Sequence, residues 1–484
     1  MDEPILAGEM ERSLQPTTPR TFWTTAVYCM MVAGTIGLFL VIRSHGALLT
    51  APAPPALLET ASLRSAPMTP QVNALWHILL ILVVVIVAGR AIGLLFLVFQ
   101  QPSVIGEVVA GILLGPSLLG RIAPEVSTYL LPPSVVPLLG VIAQLGIILY
   151  MFKVGLELNL DLLQKQVHAM VAISHASIIV PFLLGGLLAL HLYPRLSSSD
   201  VPFTNFALFL GVAMSITAFP VLARILTDRR MSKTGIGVIA LMCAATDDAT
   251  AWCLLALVVG VTQARVGGAL LVMVLTLAYL GFMLVVVQPL VRRYVSSSGK
   301  GLLPQGLVTV AFTALLLSAL TTEWIGIHAI FGAFLLGAII PHDSALTRDL
   351  TAKLEDLVAI VMLPAFFAFT GMRTQIGLVA GVDQWVICGV IILVATIGKF
   401  GGSLAAARLT GLSWSYSAAL GLLMNTRGLV ELIVLNIGLD LHILSPTLFA
   451  MMVIMALVTT LATTPLLQLL WAAPQRGQDA LYGG

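Results

Sequence analysis

Charge is what this sequence has least of. Asp, Glu, Lys and Arg make up 10% of its 484 residues while 59% are hydrophobic; an ordinary soluble domain carries roughly 25% charged residues. That shortage excludes a water-soluble globular protein and leaves a polytopic helical membrane protein. Cysteine is also sparse. Cys29, Cys243, Cys253 and Cys388 all fall inside apolar segments, and their spacing matches neither a metal site nor a disulfide framework, so packing is the expected role of each. No run of several like charges suggests a nucleic-acid partner. No repeated Thr-Val-Gly-Tyr-Gly loop is present, which removes the carbonyl-lined filter of a selective channel.

What the chain has instead is apolar length. Runs able to span a bilayer, bounded by Pro, Gly or charge, fall at about 22–42, 74–98, 103–121, 135–155, 166–193, 203–226, 234–260 and 267–291, then at 305–322, 325–341, 355–372, 384–408, 414–438 and 446–471. The expected fold is therefore all-α with fourteen transmembrane helices. The Pro/Ala/Ser-rich stretch from Ser44 to Gln71 reads as an external linker between the first span and the rest. The polar lead before the first span, with no convincing cleavage site after it, favours a retained helix over a signal peptide. Three regions follow: 1–73 (cytoplasmic N-terminus, extra helix and linker), 74–471 (transmembrane domain) and 472–484 (short cytoplasmic tail).

Of the 24 Lys and Arg residues, fifteen fall on the side that the alternation assigns to both termini, six on the other, and three (Arg90, Lys399, Arg427) inside spans. The positive-inside rule then places both termini in the cytoplasm; the expected location is the cell (inner) membrane.

Against this background Asp247 and Asp248, adjacent in Ala244-Ala245-Thr246-Asp247-Asp248-Ala249-Thr250, are costly. One charge at the bilayer centre costs roughly 2.5–3.5 kcal/mol on insertion scales, and two carboxylates ~4 Å apart repel by on the order of 4 kcal/mol at an effective dielectric near 20. Such a pair persists if it titrates, binds a cation or meets a buried base. Consecutive helical residues point about 100° apart, so one carboxylate lines an ion path while the other turns to a neighbouring helix. Lys399, in the middle of the twelfth span, is the buried base expected to pair with them.

The chain also repeats itself. Ala110-Gly111-Ile112-Leu113-Leu114-Gly115 resembles Gly332-Ala333-Phe334-Leu335-Leu336-Gly337, and the stretch from Tyr150 to Leu156 resembles that from Phe366 to Met372. Corresponding helices are an odd number of spans apart, so the halves are inverted, the arrangement of secondary transporters with a midplane site. The sixth and thirteenth spans then correspond, and both are interrupted. One carries Ser215-Ile216-Thr217-Ala218-Phe219-Pro220, the other Met424-Asn425-Thr426-Arg427-Gly428. Freed carbonyls and half-helix ends at such breaks coordinate ions. Arg427 and Glu431, four apart on a helix, are expected to pair with each other and to be structural. Glu107, near the start of the third span, reads equally as a path residue or an interfacial one.

Several long motifs carry a family resemblance. Gln101-Pro102-Ser103-Val104-Ile105-Gly106-Glu107, Thr217-Ala218-Phe219-Pro220-Val221-Leu222-Ala223-Arg224, Gly326-Ile327-His328-Ala329-Ile330-Phe331 and Met424-Asn425-Thr426-Arg427-Gly428-Leu429-Val430-Glu431 resemble the plant and fungal cation/proton exchangers of the monovalent cation:proton antiporter-2 family. The likeness runs over about 74–471. It implies a thirteen-helix fold with a dimerisation domain, a moving core with two crossed, broken helices, and a homodimer in the lipid bilayer. It implies exchange of Na⁺ or K⁺ for H⁺ by alternating access, with no cofactor. By resemblance Asp248 matches the ion- and proton-binding carboxylate, Asp247 the position that bridges to a lysine, Lys399 that lysine, and Thr217 the unwound segment beside the ion; Ser215, Asn425, Arg427, Glu431 and Glu107 are supporting candidates. Two departures stand out. Plant exchangers carry Asn where this chain has Asp247, which aligns it with electrogenic members, and the sequence lacks their long regulatory region. A gated cation channel is the alternative expectation. An intramembrane aspartyl protease is disfavoured because adjacent carboxylates diverging by ~100° cannot share one water.

Overall fold

The structure is a computed structural model that describes residues 21–53, 73–99, 101–157, 168–229, 231, 234–263, 269–297 and 305–482. The regular secondary structure of the described residues is all helical, with no strand among them. Most of the expected linker lies outside them. In lipid, every backbone polar group needs an internal partner, so helices are the available spanning form here.

The helices are α1 (Thr21–Gly46), α2 (Ala74–Val98), α3 (Ser103–Leu114), α4 (Val136–Glu157) and α5 (His168–Leu196). A split span follows, α6 (Phe203–Ser215) and α7 (Phe219–Asp228), then α8 (Gly235–Gln263) and α9 (269–297). The second half begins with α10 (Gln305–Ile325), α11 (Ala329–Ile339), α12 (345–373) and α13 (382–409). A second split span, α14 (Trp414–Met424) and α15 (Leu429–Asp440), leads to α16 (Pro446–Tyr482). Each of the fourteen expected spans is met by one helix or one split pair. Among the described residues, ten spans are long and apolar enough to cross a membrane on length and composition. Three helices carry a π-helical turn, at Met283–Val287 in α9, Val358–Met362 in α12 and Ile397–Gly401 in α13.

The two halves pack on each other through their motif helices. α3 lies against α12 and α4 against α11, so each motif helix of one half packs on a motif helix of the other. Glycines permit it. A Cβ on Gly371 would meet the Val108 carbonyl, and Gly155 and Gly337 abut each other's backbones. Small residues let backbones approach where lipid supplies no hydrophobic drive.

α1 packs on α5 and α6, with Phe39 and Phe182 rings 5.6 Å apart. α16 continues as helix through the region expected to be a tail. Cys243 and Cys388 are buried as expected, but Cys253 is exposed on the bundle surface. Its packing role does not hold, because position 253 falls on the outward stripe of α8.

Candidate functional site

The two split spans cross at their breaks, and each break is satisfied by the other. The Ala218 N–H donates to the Thr426 carbonyl at 3.0 Å, and Thr217 Oγ1 lies 3.3 Å from the Met424 carbonyl. Thr460 of α16 closes the second break, accepting from the Arg427 N–H at 3.1 Å and donating to its carbonyl at 2.6 Å. Non-helical backbone at membrane depth is tolerated where protein buries it and fills its hydrogen bonds. Pro220 sits at the second position of α7, where a missing N–H costs nothing.

α8 carries the two aspartates past this crossing, both buried. Asp247 is saturated. Its Oδ1 accepts from Ser174 Oγ at 2.5 Å. Its Oδ2 accepts from Ser177 Oγ, from Thr217 Oγ1 at 2.9 Å, and from Lys399 Nζ at 2.9 Å. Asp248 is the opposite: neither of its oxygens has a hydrogen-bond partner among the described residues. The Phe219 backbone N–H, at the start of α7, faces it, which turns the positive end of a half-helix toward it. Tyr150 of α4 is also in electrostatic reach.

Local sequence explains how Lys399 arrives. Gly398 and Gly402 press α13 onto α5: a Cβ at Gly398 would lie 2.9 Å from Pro181 Cα, and one at Gly402 2.9 Å from the Ala176 carbonyl. Between those contacts is Ser177. Its carbonyl would ordinarily accept from the N–H four residues on, but that residue is Pro181, inside α5, which has no N–H. Lys399 Nζ takes the freed carbonyl at 2.9 Å and approaches Ser177 Oγ at 3.4 Å. The π-helical turn at Ile397–Gly401 is where α13 widens to present this side chain.

The other buried pair stands one step away. Arg427 Nη1 contacts Glu431 Oε2 at 2.9 Å, both side chains fully buried. The same guanidinium donates to the last carbonyls of α6, Ala213 at 3.2 Å and Met214 at 2.7 Å. A cation at a helix C-terminus is favourable, and Glu431 occupies the first turn of α15, where an anion is favourable.

The remaining candidates separate. The Ser215 hydroxyl is spent on the Ile178 and Gly211 carbonyls, at 3.0 and 2.7 Å, so it does not face the aspartates. Asn425 is buried at the second break with Oδ1 unpartnered among the described residues. Glu107 is not brought to the cluster; it packs beside Gly89 of α2 with Arg90 as its charged neighbour. Ser174, Ser177, Pro181 and Thr460 were missed by sequence reasoning. The available signal was Pro181 four residues after Ser177, with Ser174 one turn earlier on the same face.

At the bundle end that carries Arg373, a vestibule of about 480 Å³ is lined by residues including Gln144, Glu323, His328, Arg373 and Asp440. A constriction of about 30 Å³ continues it past Phe366, Ile433 and Asn436. Asp248 is in the wall of neither. Arg373 crosses the vestibule to Asp440 at 2.6 Å and to Asn436 at 3.1 Å.

Comparison with known proteins places this geometry in a class. Residues 78–472 match the model of the sodium/hydrogen exchanger transmembrane family. A Na⁺/H⁺ antiporter of Synechocystis, NhaS4, is 44% identical over 83% of this chain and 99% of its own length. Cation/H⁺ antiporter 19 of Arabidopsis thaliana is 37% identical over 84% of this chain, which spans 51% of that relative. The K⁺/H⁺ antiporter 1 of Saccharomyces cerevisiae is 35% identical over 78% of this chain and 44% of its own length. The chain thus spans about half the length of these plant and yeast relatives. A solved structure, the sodium/proton antiporter MjNhaP1 of Methanocaldococcus jannaschii, shares the fold with a TM-score of 0.61 at 14% identity, over 82% of this chain and 99% of that one. The chain belongs to the sodium/hydrogen exchanger transmembrane family: it is a multi-pass α-helical cation/proton antiporter.

Proposed function

We propose that Asp248 is the carboxylate that carries either one proton or one monovalent cation, Na⁺ or K⁺, across the membrane. The observation behind this reading is that Asp248 is buried beside two crossed helix breaks and neither oxygen has a protein partner among the described residues. A buried carboxylate in that condition takes a proton or a cation. Binding one excludes the other, which couples the two fluxes. Alternating access then follows from movement of a core holding α5–α8 and α13–α16 against a dimerisation unit within residues 74–471. The working form is a homodimer in the inner membrane with both termini cytoplasmic, using no cofactor. The roles extend outward from Asp248: Thr217 and Asn425 border the ion, Asp247 and Lys399 form a charge pair that makes exchange electrogenic, and Arg427 with Glu431 holds the half-helices. Relatives named for Na⁺ and for K⁺ support either cation.

Everted membrane vesicles with a pH-sensitive dye test the reading. Addition of Na⁺ or K⁺ is expected to move protons in wild type and not in Asp248→Asn. Wild-type exchange by the variant overturns it, and so does cation flux with no proton movement. An imposed membrane potential is expected to change the wild-type rate; a rate that ignores it removes the electrogenic role of Asp247 and Lys399.

A further inference from the structure

The surroundings of Lys399 Nζ are those of a cation site. Three oxygens of three kinds face the ammonium: a peptide carbonyl (Ser177 O, 2.9 Å), a hydroxyl (Ser177 Oγ, 3.4 Å) and a carboxylate (Asp247 Oδ2, 2.9 Å). Ser177 Oγ has one proton, which faces Asp247 Oδ2 and the Ser174 carbonyl, so only lone pairs are left toward Nζ. The carbonyl is available because Pro181 leaves it without a helical donor. Ser174 and Thr217 fix the carboxylate from the far side, at 2.5 and 2.9 Å. Every one of these groups is fully buried. An ammonium has the charge and nearly the size of K⁺, and a set of carbonyl, hydroxyl and carboxylate oxygens is what a hard monovalent cation binds.

We infer that α5 and α8 build a second monovalent-cation seat, at Asp247, Ser177 and the Pro181-freed carbonyl, which Lys399 fills with its own side-chain ammonium. The seat is distinct from Asp248 and takes a free K⁺-sized cation whenever the lysine is absent from it. On this view Lys399 is a tethered cation, and its presence limits the protomer to one exchangeable ion.

The test uses binding to the folded protein rather than transport, so it stands or falls separately from the antiport reading. Full-length protein carrying Asp248→Asn, which removes the first carboxylate, is purified in lipid nanodiscs. Thermal unfolding is followed in choline, Na⁺, K⁺, Rb⁺ or ammonium chloride at one ionic strength. In choline, adding Lys399→Ala is expected to lower Tm by about 3–5 °C, as loss of one partner of a buried pair does in a chain of this size. K⁺, Rb⁺ or ammonium should restore most of that loss, by ligand linkage. Lys399→Met, which refills the seat with an uncharged chain, should melt at the same temperature in every salt. Adding Pro181→Ala to Lys399→Ala returns a donor to the Ser177 carbonyl and should cut the restoration by half or more. A Lys399→Ala protein obtained folded only from K⁺ or ammonium buffer supports the seat as well. Equal Tm for Lys399→Ala in choline and in K⁺, or failure to fold in every salt, overturns it.

Discussion

Asp247 and Asp248 share a helix, a side-chain type and a depth in the bundle, yet one carboxylate holds three hydroxyls and an ammonium while the other holds nothing among the described residues. The cause is geometric. A turn of about 100° per residue aims Asp247 at α5 and α13, where serines and a lysine wait, and aims Asp248 toward α4 and the start of α7. A buried charge with a full set of donors belongs to the architecture, and removing a member leaves the others stranded. A buried carboxylate without side-chain donors contributes no such support and is free to take an exchangeable ion. Adjacent identical residues have been given opposite tasks by what faces them.

The comparison is broken most directly by Asp248→Asn set against Asp247→Asn. The first should reduce dye-detected exchange to the level of vesicles without transporter, with Tm unchanged or raised, since no hydrogen bond is lost. The second should cost about 3–5 kcal/mol of stability, because it leaves Lys399 as an uncompensated buried cation. If Asp248→Asn is the less stable of the two in thermal unfolding, the division of labour is reversed. Lys399→Gln should cost a similar ~3–5 kcal/mol. The Asp247→Asn/Lys399→Gln double variant should be more stable than the sum of the singles predicts, by about 0.5–3 kcal/mol in a double-mutant cycle; strict additivity would mean that the pair is not coupled.

A smaller effect is expected one step away. Arg427→Gln strands Glu431 and the Ala213 and Met214 carbonyls, and should cost about 3 kcal/mol. Adding Glu431→Gln should return part of that loss in denaturant titrations, as removal of the stranded anion requires. Ser174→Ala and Ser177→Ala each delete one neutral donor to Asp247 and should cost only about 1–3 kcal/mol, with exchange retained. The smallest expected effect is that of Glu107→Gln, which should leave the vesicle exchange rate unchanged because Glu107 keeps company with Arg90 rather than with the crossing. A large loss of exchange there would place the ion path along α3.

Much of the fold was legible without coordinates. Apolar length fixes where helices lie when lipid forbids unsatisfied backbone, and the glycine motifs marked the repeat because glycine is what close helix contact requires. The two breaks were visible too: Pro220 and the polar Asn425-Thr426-Arg427 run cannot continue an apolar span quietly. Glu107 shows the limit. An acidic residue near a span end reads the same whether it faces an ion path or a neighbouring arginine, and only packing chose the arginine. Ser215 is the same lesson on a smaller scale, since a hydroxyl beside a break has carbonyls as well as carboxylates within reach.

The sequence by itself determined that this protein is a polytopic helical bundle, that glycine motifs recur in its two halves, that two spans break, and that Asp247, Asp248 and Lys399 are the charges that need an explanation. Those are consequences of one-dimensional facts: hydrophobic length, periodicity and the cost of charge in an apolar run. Composition and periodicity left open which aspartate meets the lysine; the family resemblance pointed to Asp247, and the tertiary structure supplies the physical reason. The choice depends on the rotation of α8 against α5 and α13, on the close approach that Gly398 and Gly402 permit, and on a carbonyl that Pro181 left open for Lys399 to take. Hydrogen bonds act over about 3 Å, and a separation of seventy residues in the chain, as between Ser177 and Asp247, carries no information at that scale until the helices are packed.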